Sequence, residues 1–310
     1  MADQQTNYKK IGLAIILLAI FLLLTAFLTS QGMGRGNKTF WSYFALPRVW
    51  MGFLFGAIGL VLLLKSRVSK KVRLGMMALA FFTFGLVPHL NVGTFSRGLS
   101  MHPSPMCLIE KSFIFMNNGI SLPMIFITLL ASIVVLTVVG NKLFCGWVCP
   151  VGALQELIND IPLTKRMKKI IPFKVSNTVR ISMFGIFILL FIITGFSIYG
   201  LFNPFEFFHF HWAVLGIIAI SVTGIASLFL FRPFCYLACP LGLFTWIFEQ
   251  ASVFRVKREG TACKDCNRCV VMSHCPSVKS ILEKKRVRAD CFSCGRCLNF
   301  CTKESLYYKS

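Results

Sequence analysis

The sequence predicts an all-α integral membrane protein of about six transmembrane helices with an internal pseudo-repeat, followed by a small C-terminal α+β domain. Three observations support this prediction. Hydrophobic residues make up 56% of the chain and charged residues only 14%, whereas about a quarter of the residues of a soluble chain are charged. Lys and Arg outnumber Asp and Glu by 33 to 11, which in a membrane protein indicates orientation and lipid contact. The 13 cysteines are spaced as metal ligands are.

Six apolar stretches are candidates for the transmembrane helices. Four of them reach or nearly reach the roughly 20 residues that a helix needs to cross a bilayer, while the second and third are shorter. The first follows Lys9 and Lys10 and has no clear cleavage site, so we expect an uncleaved anchor and not a signal peptide. The stretches are Ile11–Leu28, Val49–Leu64, Leu74–Leu90, Ile120–Val139, Ile181–Ile198 and Trp212–Phe231.

The basic residues predict how these spans are oriented. If the N-terminus is cytoplasmic and six spans alternate, 28 Lys and Arg residues lie inside and five lie outside. Short cytoplasmic loops carry an excess of basic residues. We therefore expect a multi-pass protein whose N- and C-termini are both cytoplasmic.

A CxxxCP motif occurs twice, at an offset of 90 residues. Phe144–Gly152 aligns with Phe234–Gly242, and the phenylalanine, both cysteines, the proline and the glycine match. Two copies of one supersecondary unit usually pack about a pseudo-twofold axis. We therefore expect residues 1–250 to form a transmembrane domain with two repeats, at about 120–159 and 181–250.

The tail, residues 251–310, contains two further cysteine runs. They read C-x2-C-x2-C-x5-C-P and C-x2-C-x2-C-x3-C, close to the run of bacterial two-cluster ferredoxins, in which the fourth cysteine binds the other cluster. We predict a cytoplasmic ferredoxin-like domain with two [4Fe–4S] clusters, because disulfides are rare in the cytoplasm and the spacing is unusual for zinc. The first cluster would be bound by Cys263, Cys266, Cys269 and Cys301, and the second by Cys291, Cys294, Cys297 and Cys275.

The CxxxCP cysteines could supply four more thiolates at the inner membrane surface. Cysteines four residues apart lie on one helical face, and the following proline ends or bends the helix. We hypothesise that a third iron–sulfur cluster lies on the pseudo-twofold axis, between the bilayer and the tail. The alternatives are small buried side chains or a transient thiol pair. The four residues are Cys145, Cys149, Cys235 and Cys239.

The remaining cysteine, Cys107, lies in a predicted outer loop and belongs to neither pattern. A lone cysteine is more often a buried or unpaired thiol than a ligand. With Met101, His102 and Met106 it could instead form a soft-metal patch for copper.

The CxxxCP pairs followed by eight tail cysteines resemble the NapH-type polyferredoxin family of membrane quinol dehydrogenase subunits. The membrane portion of NosR-type regulators and CcoG-type proteins share this pattern. Because no flavin-binding domain precedes the first span, we do not expect a complete NosR-type regulator. The resemblance covers the second half of the chain. It implies a bacterial inner-membrane oxidoreductase subunit that transfers electrons between quinol and iron–sulfur or multihaem cytochrome subunits of a respiratory complex.

A quinol site needs groups that accept protons, and histidine titrates near neutral pH. A site on the outer side would lie a membrane's width from the inner cysteines, and a site near the CxxxCP cysteines would not. The sequence leaves both open, together with an interfacial aromatic belt whose histidines are merely solvated. No catalytic residue can be assigned. The proton or quinone candidates are His89, His102, Glu206, His209 and His211.

Two other functions are compatible with the same motifs. One is an accessory or assembly factor that reduces a metal ion such as copper or maintains a partner metalloenzyme. The other is a membrane anchor whose clusters only fold the tail. The basic run Lys284–Arg288 would suggest nucleic acid in a soluble protein, but beside predicted clusters we expect anionic lipid or an acidic redox partner, and no nucleic acid.

Overall fold

The computed structural model describes residues 40–90, 93–100, 103–162, 167–209, 214–258, 263, 266, 268–283, 289–301 and 305–310. The predicted span Ile11–Leu28 lies outside these residues, and so does the basic run Lys284–Arg288. The described chain is mostly helical. After a 3-10 turn at Phe40–Ala45, its first helices are α1 (Pro47–Leu64), α2 (Lys70–Phe81, continued by a π-helical turn at Phe82–Leu86 and a 3-10 turn at Val87–Leu90), α3 (Gly93–Gly98) and α4 (Pro105–Asn117).

The two copies of the repeat follow. The first comprises α5 (Met124–Gly140), a π-helical turn at Phe144–Val148 and α6 (Pro150–Asn159). The second is preceded by α7 (Phe173–Thr194) and by 3-10 turns at Ile198–Leu201 and Glu206–His209. It comprises α8 (Val214–Phe229), α9 (Pro233–Leu237) and α10 (Pro240–Glu249).

The tail consists of short elements. Strand β1 (Arg255–Arg258) pairs in antiparallel fashion with β2 (Leu306–Lys309), with Arg255 opposite Lys309. Between the strands lie α11 (Arg268–Ser273), α12 (Val278–Leu282) and α13 (Arg296–Phe300). The ferredoxin-like fold of the tail stays a prediction.

Among the residues that the structure describes, three helical segments are long and apolar enough to cross a membrane: Pro47–Leu64, Lys70–Leu90 and Phe173–Thr194. The first two contain the predicted second and third spans, and the last overlaps the predicted fifth span, Ile181–Ile198, but ends four residues before that span does. The helices at the predicted fourth and sixth spans, α5 and α8, have only 17 and 16 residues. Helix α5 begins after Pro123 and ends where Asn141 takes a left-handed conformation (φ 58°). The count of six spans therefore stays a prediction.

Of the three membrane-length segments among the described residues, the long helix α7 is the most exposed. Only 17% of its most apolar 18-residue window is buried. Its exposed side chains include Leu189, Ile192 and Ile193. An apolar face of this kind is suited to lipid contact.

The two repeats pack in a crossed arrangement. Helix α6 of the first repeat packs against α8 of the second, and α10 of the second packs against α5 of the first. Each short helix after a CxxxCP motif therefore contacts the long helix of the other repeat, as the predicted pseudo-twofold relation requires. This brings the two motifs next to each other.

Candidate iron–sulfur centre at the CxxxCP motifs

Each motif changes conformation at its second cysteine. Cys149 (φ −62°, ψ 118°) and Cys239 (φ −68°, ψ 115°) are extended and cap α6 and α10. The reason is the next residue, because proline disfavours a helical conformation in the residue before it. The prediction that Cys145 and Cys149 share one helical face is therefore wrong, since the helical turn ends at Val148.

The tertiary structure brings the four cysteines of the two motifs together. The thiol of Cys149 interacts electrostatically with those of Cys145, Cys235 and Cys239, and the thiol of Cys145 with that of Cys235. Cys145, Cys235 and Cys239 are at most 9% exposed. In addition, Gln155 Nε2 donates a hydrogen bond to Cys235 Sγ (3.3 Å), and hydrogen bonds to sulfur are one of the levers that tune the potential of a cluster.

Buried cations hold the backbone of both motifs. Arg232 donates to the Cys145 carbonyl (2.6 Å) and Arg180 to the Cys235 carbonyl (3.3 Å). Each guanidinium group packs against a glycine, where a larger residue would crowd it. A Cβ at Gly152 would lie 3.2 Å from Arg232 Nη1, and one at Gly242 would lie 3.0 Å from Arg180 Nη1. The two arginines thus contact the two motifs in matching ways.

Two buried carboxylates neutralise these cations. Glu156 accepts from Arg73 Nε (2.9 Å) and Arg232 Nη2 (2.5 Å), and Asp290 of the tail pairs with Arg180 (2.6 Å) and with Lys142. Burial alone would raise the pKa of the Glu156 carboxyl, but the charges of Arg73 and Arg232 outweigh it and hold that pKa well below its ordinary value. Because a buried unpaired charge is costly, both carboxylates are expected to stay ionised.

The second cysteine run of the tail packs directly on the first motif. A Cβ at Gly146 would lie 2.1 Å from the Phe292 carbonyl oxygen, and Trp147 Nε1 donates to the Ser293 carbonyl (3.0 Å). The Tyr236 ring packs edge-on against Phe292, with centroids 5.0 Å apart. The backbone of the run therefore lies in van der Waals contact with the CxxxCP motif.

Several tail cysteines lie near one another. Cys269 interacts electrostatically with Cys301 and Cys263, and Cys291 with Cys275, Cys297 and Cys294. Because Cys297 also interacts with Cys269 of the other predicted group, the division into two ligand groups stays a prediction. Cys266, predicted as a ligand of the first group, is exposed. Polar groups reach sulfur in both predicted groups: for example, Ser305 N donates to Cys301 Sγ (3.3 Å), and Tyr236 Oη lies 3.9 Å from Cys275 Sγ.

The donor set of the CxxxCP motifs fits an iron–sulfur cluster. Among the described residues, no three His, Cys, Asp or Glu side chains are grouped as ligands of a single metal ion. A [4Fe–4S] cluster instead takes four cysteine thiolates and spreads them over its irons. Four grouped thiols with buried arginine and lysine nearby supply both the ligands and the compensating positive charge. Such a cluster would provide one-electron transfer.

The other predicted candidates lie elsewhere. His89 contacts the backbone of Phe208, so it lies at the loop that contains Glu206. His102 and His211 lie outside the described residues, as does the side chain of His209. Cys107 is 4% exposed. None of the described candidates therefore reaches the CxxxCP cysteines directly, and the soft-metal patch stays a prediction.

Comparison with known proteins identifies the same two segments. Residues 122–171 and 210–259 match the family described as 4Fe-4S binding domain. The chain is 30% identical to YccM, a putative electron transport protein of Escherichia coli, over 56% of this chain and 52% of that protein. It is 32% identical to an uncharacterized protein of Methanocaldococcus jannaschii over 58% of this chain and 76% of that protein. It is 28% identical to the ferredoxin-type protein NapH of Haemophilus influenzae over 56% of this chain and 65% of that protein. The chain belongs to the NapH-type polyferredoxin family.

The matched segments are those of a 4Fe–4S binding domain, and the described helices give the chain membrane character. Its two 4Fe–4S binding repeats contain the CxxxCP motifs, one in each. The match spans about half the length of YccM. No solved structure matches the chain.

Sequence reasoning missed the cations that hold the motifs. In the sequence, Lys142 and Arg232 count only among the basic residues that orient the membrane protein, yet both are fully buried. One signal could have found them, because the offset of 90 residues that aligns the cysteines also aligns these two residues. Both have left-handed backbones (φ 62° and 49°), a strained conformation for residues with side chains.

Replacing Gly146 by alanine is expected to displace the tail from the motif. The new Cβ would meet the Phe292 carbonyl, which belongs to the backbone and cannot rotate away. We expect the free energy of unfolding to fall by about 1–3 kcal/mol, as for other overpacked sites. The control is Gly75→Ala, where a Cβ meets nothing within 4 Å. Thermal unfolding of both variants in detergent measures this, and equal midpoints would contradict the proposed close approach.

Proposed function

We propose that this protein is a quinol dehydrogenase-type subunit that passes electrons from the membrane quinol pool to a redox partner. One iron–sulfur cluster is bound by the four CxxxCP cysteines, and two [4Fe–4S] clusters are bound by the eight tail cysteines in the groups given above. Residues 1–250 form the transmembrane domain and residues 251–310 the cytoplasmic domain. The protein lies in the bacterial inner membrane with about six spans and both termini in the cytoplasm.

The observation that supports this proposal best is the packing of the tail on the first motif. Phe292, next to Cys291, has its carbonyl against Gly146, next to Cys145. Clusters bound by Cys145 and Cys291 would therefore be separated by little more than this backbone contact and the two cysteine side chains. Electrons could then pass from the membrane portion to the tail without a further cofactor.

The tail is also held firmly in this position. Val253 N and Phe254 N donate to the carbonyls of Val138 (2.8 Å) and Val139 (3.0 Å) at the end of α5. Tyr308 Oη donates to the Gly140 carbonyl (2.8 Å). The tail is thus attached to the membrane portion next to β1 and at β2, which supports a fixed path for the electrons. The path ends at a partner that contains iron–sulfur clusters or multihaem cytochromes.

Anaerobic mixing with a reduced menaquinol analogue tests the function. We expect prompt reduction of the clusters, measured by electron paramagnetic resonance and visible absorbance. Reduction by dithionite gives the full extent of reduction for comparison. An assembly factor would respond slowly to quinol and be oxidised rapidly by Cu²⁺. A structural anchor would do neither, and either result would contradict the proposal.

A further inference from the structure

An apolar cavity, called here the α1–α5 cavity, lies between α1, α4 and α5. Its volume, counted to the point where it opens at the surface, is about 440 Å³, within the range of pockets that bind small molecules. Its walls are mostly aliphatic and aromatic, which suits an apolar ring. They include Val49 and Phe53 of α1, Leu108 of α4, and Leu129, Ile133 and Leu136 of α5.

The α1–α5 cavity reaches the first CxxxCP motif at two points. Phe144, which lines the cavity, directly precedes Cys145. Gly52 of α1 also lines it, and a Cβ at Gly52 would lie 3.5 Å from Cγ1 of Val148, the residue before Cys149. A ligand in the cavity would therefore lie beside the residues that precede both cysteines of the motif.

The cavity also contains a buried positive charge. Arg48, the second residue of α1, lines it and is only 7% exposed. Its Nη1 atom donates to the Ser100 carbonyl (3.1 Å), which orients the guanidinium group. Gly52, at the level of the motif, is one helical turn or about 6 Å further along α1. Ionisable side chains within membrane-length helices are rare and usually mark the site of a ligand or ion.

A buried hydroxyl lies on another wall of the cavity. Ser132 of α5 lines it and is also 7% exposed. Its hydroxyl donates to the Thr128 carbonyl (2.7 Å). A serine hydroxyl that donates one hydrogen bond still has lone pairs that accept others, whereas a guanidinium group only donates. Helix α1 thus supplies a donor, and α5 an acceptor, to one apolar cavity.

This combination fits a quinone better than a phospholipid. A quinone is a neutral ring whose carbonyl oxygens accept hydrogen bonds, and the hydroxyls of its reduced form, quinol, also donate them. A lipid phosphodiester could pair with Arg48, but it has no hydrogen to donate to Ser132. Among the residues described as lining the cavity, Arg48 is the only charged one. The lining is therefore apolar around the ring and polar at two points.

We propose that the α1–α5 cavity binds the ring of the membrane quinone, with Arg48 donating to a ring oxygen and Ser132 accepting from a quinol hydroxyl; this rests on the proposed function. The ring then lies between the guanidinium group and the residues that precede Cys145 and Cys149. Of the two locations that the sequence leaves open, this is the one near the CxxxCP cysteines. The sequence alone shows Arg48 only as one of the basic residues predicted to lie outside.

Calorimetric titration of the oxidised protein in detergent tests the site without electron transfer. The probe is a soluble dimethyl naphthoquinone, and empty micelles give the reference. We expect Arg48→Met to weaken binding by at least about tenfold, because a hydrogen bond from a charged donor is lost. Arg48→Lys, which keeps the charge and a donor, should recover part of the affinity. Ser132→Leu fills part of the cavity and should also weaken binding by at least about tenfold.

Ser132→Ala should distinguish the two oxidation states of the probe. Binding of the naphthoquinol to dithionite-reduced protein should weaken by about fivefold, and binding of the naphthoquinone should not change, because only the quinol has a hydroxyl to donate. The matched control is Ser227→Ala on α8, where a buried serine donates in the same way to the Thr223 carbonyl (2.6 Å). This control should bind both forms as the unaltered protein does. Iron content and thermal midpoints check that each variant is folded.

Three outcomes separate the site from the proposed function. If folded Arg48→Met and Ser132→Leu bind the naphthoquinone as Ser227→Ala does, the ring binds elsewhere and the proposed site is wrong. It is also wrong if phosphatidylglycerol, and not the naphthoquinone, binds in a way that depends on Arg48. If the naphthoquinone binds as expected but quinol reduces no cluster in the unaltered protein, the site stands and the proposed function is wrong.

Discussion

Replacing Cys145 and Cys235 by serine should lower the iron content from about twelve to about eight atoms per chain, because one of three four-iron clusters loses two of its ligands. One paramagnetic species should disappear after reduction, and the tail signals should remain. Iron and sulfide determination together with electron paramagnetic resonance would measure both effects. Quinol should then no longer reduce the tail clusters, since the membrane portion would lack its cluster.

A matched control is Cys107→Ser. Cys107 is also buried, but it lies on α4 beside Asn203 and away from both motifs. This variant should keep about twelve irons and the quinol reaction. Unaltered protein that contains only about eight irons per chain would show that the CxxxCP cysteines hold no cluster.

Glu156→Gln is expected to lower the free energy of unfolding by about 3–5 kcal/mol. The substitution preserves the size of the side chain and removes its charge. Arg73 and Arg232 would then be buried without the carboxylate that neutralises them, with side chains at most 3% exposed. Chemical denaturation of the anaerobic protein in detergent measures the difference.

The control is Glu283→Gln at an exposed carboxylate, because surface substitutions usually change stability by less than about 0.5 kcal/mol.

The effect of Glu156→Gln on the free energy of unfolding should also depend on pH. A carboxyl whose pKa is lowered on folding stabilises the protein above its unfolded pKa of about 4.3 and loses that contribution as the pH falls. The difference between variant and unaltered protein should therefore shrink in acid, and a constant difference would contradict the ion-pair explanation.

The cysteine groups show how far local spacing alone can lead. The spacing groups Cys291, Cys294 and Cys297 with Cys275, and this grouping stays a prediction, although the structure places Cys291 within electrostatic range of the other three. Ligands close together in sequence have few ways to arrange themselves around one cluster, so spacing is informative. The prediction that Cys145 and Cys149 share one helical face is wrong, because Pro150 disfavours a helical conformation at Cys149, the residue before it. The prediction uses the proline only to end or bend the helix after Cys149.

The spans were predicted less completely. The apolar stretches of the second and third spans lie within helical segments long enough to cross a membrane. The helix at the fifth span begins earlier than predicted, at Phe173, and ends earlier, at Thr194, where Gly195 takes a left-handed conformation (φ 68°). Hydropathy reports which residues are apolar, whereas the ends of a helix depend on caps and prolines.

The sequence by itself determined that the chain has the composition of a membrane protein, that it repeats a CxxxCP unit and which thiols are available to iron. Only the tertiary structure decided that Arg180 and Arg232 face inward onto cysteine carbonyls, and that Asp290 of the tail pairs with Arg180. The Arg232–Cys145 hydrogen bond joins residues 87 positions apart, and the Arg180–Asp290 hydrogen bond joins residues 110 positions apart. A basic or acidic side chain looks the same in the sequence whether it meets water, lipid or a buried counter-charge, because its environment is set by segments distant in the chain.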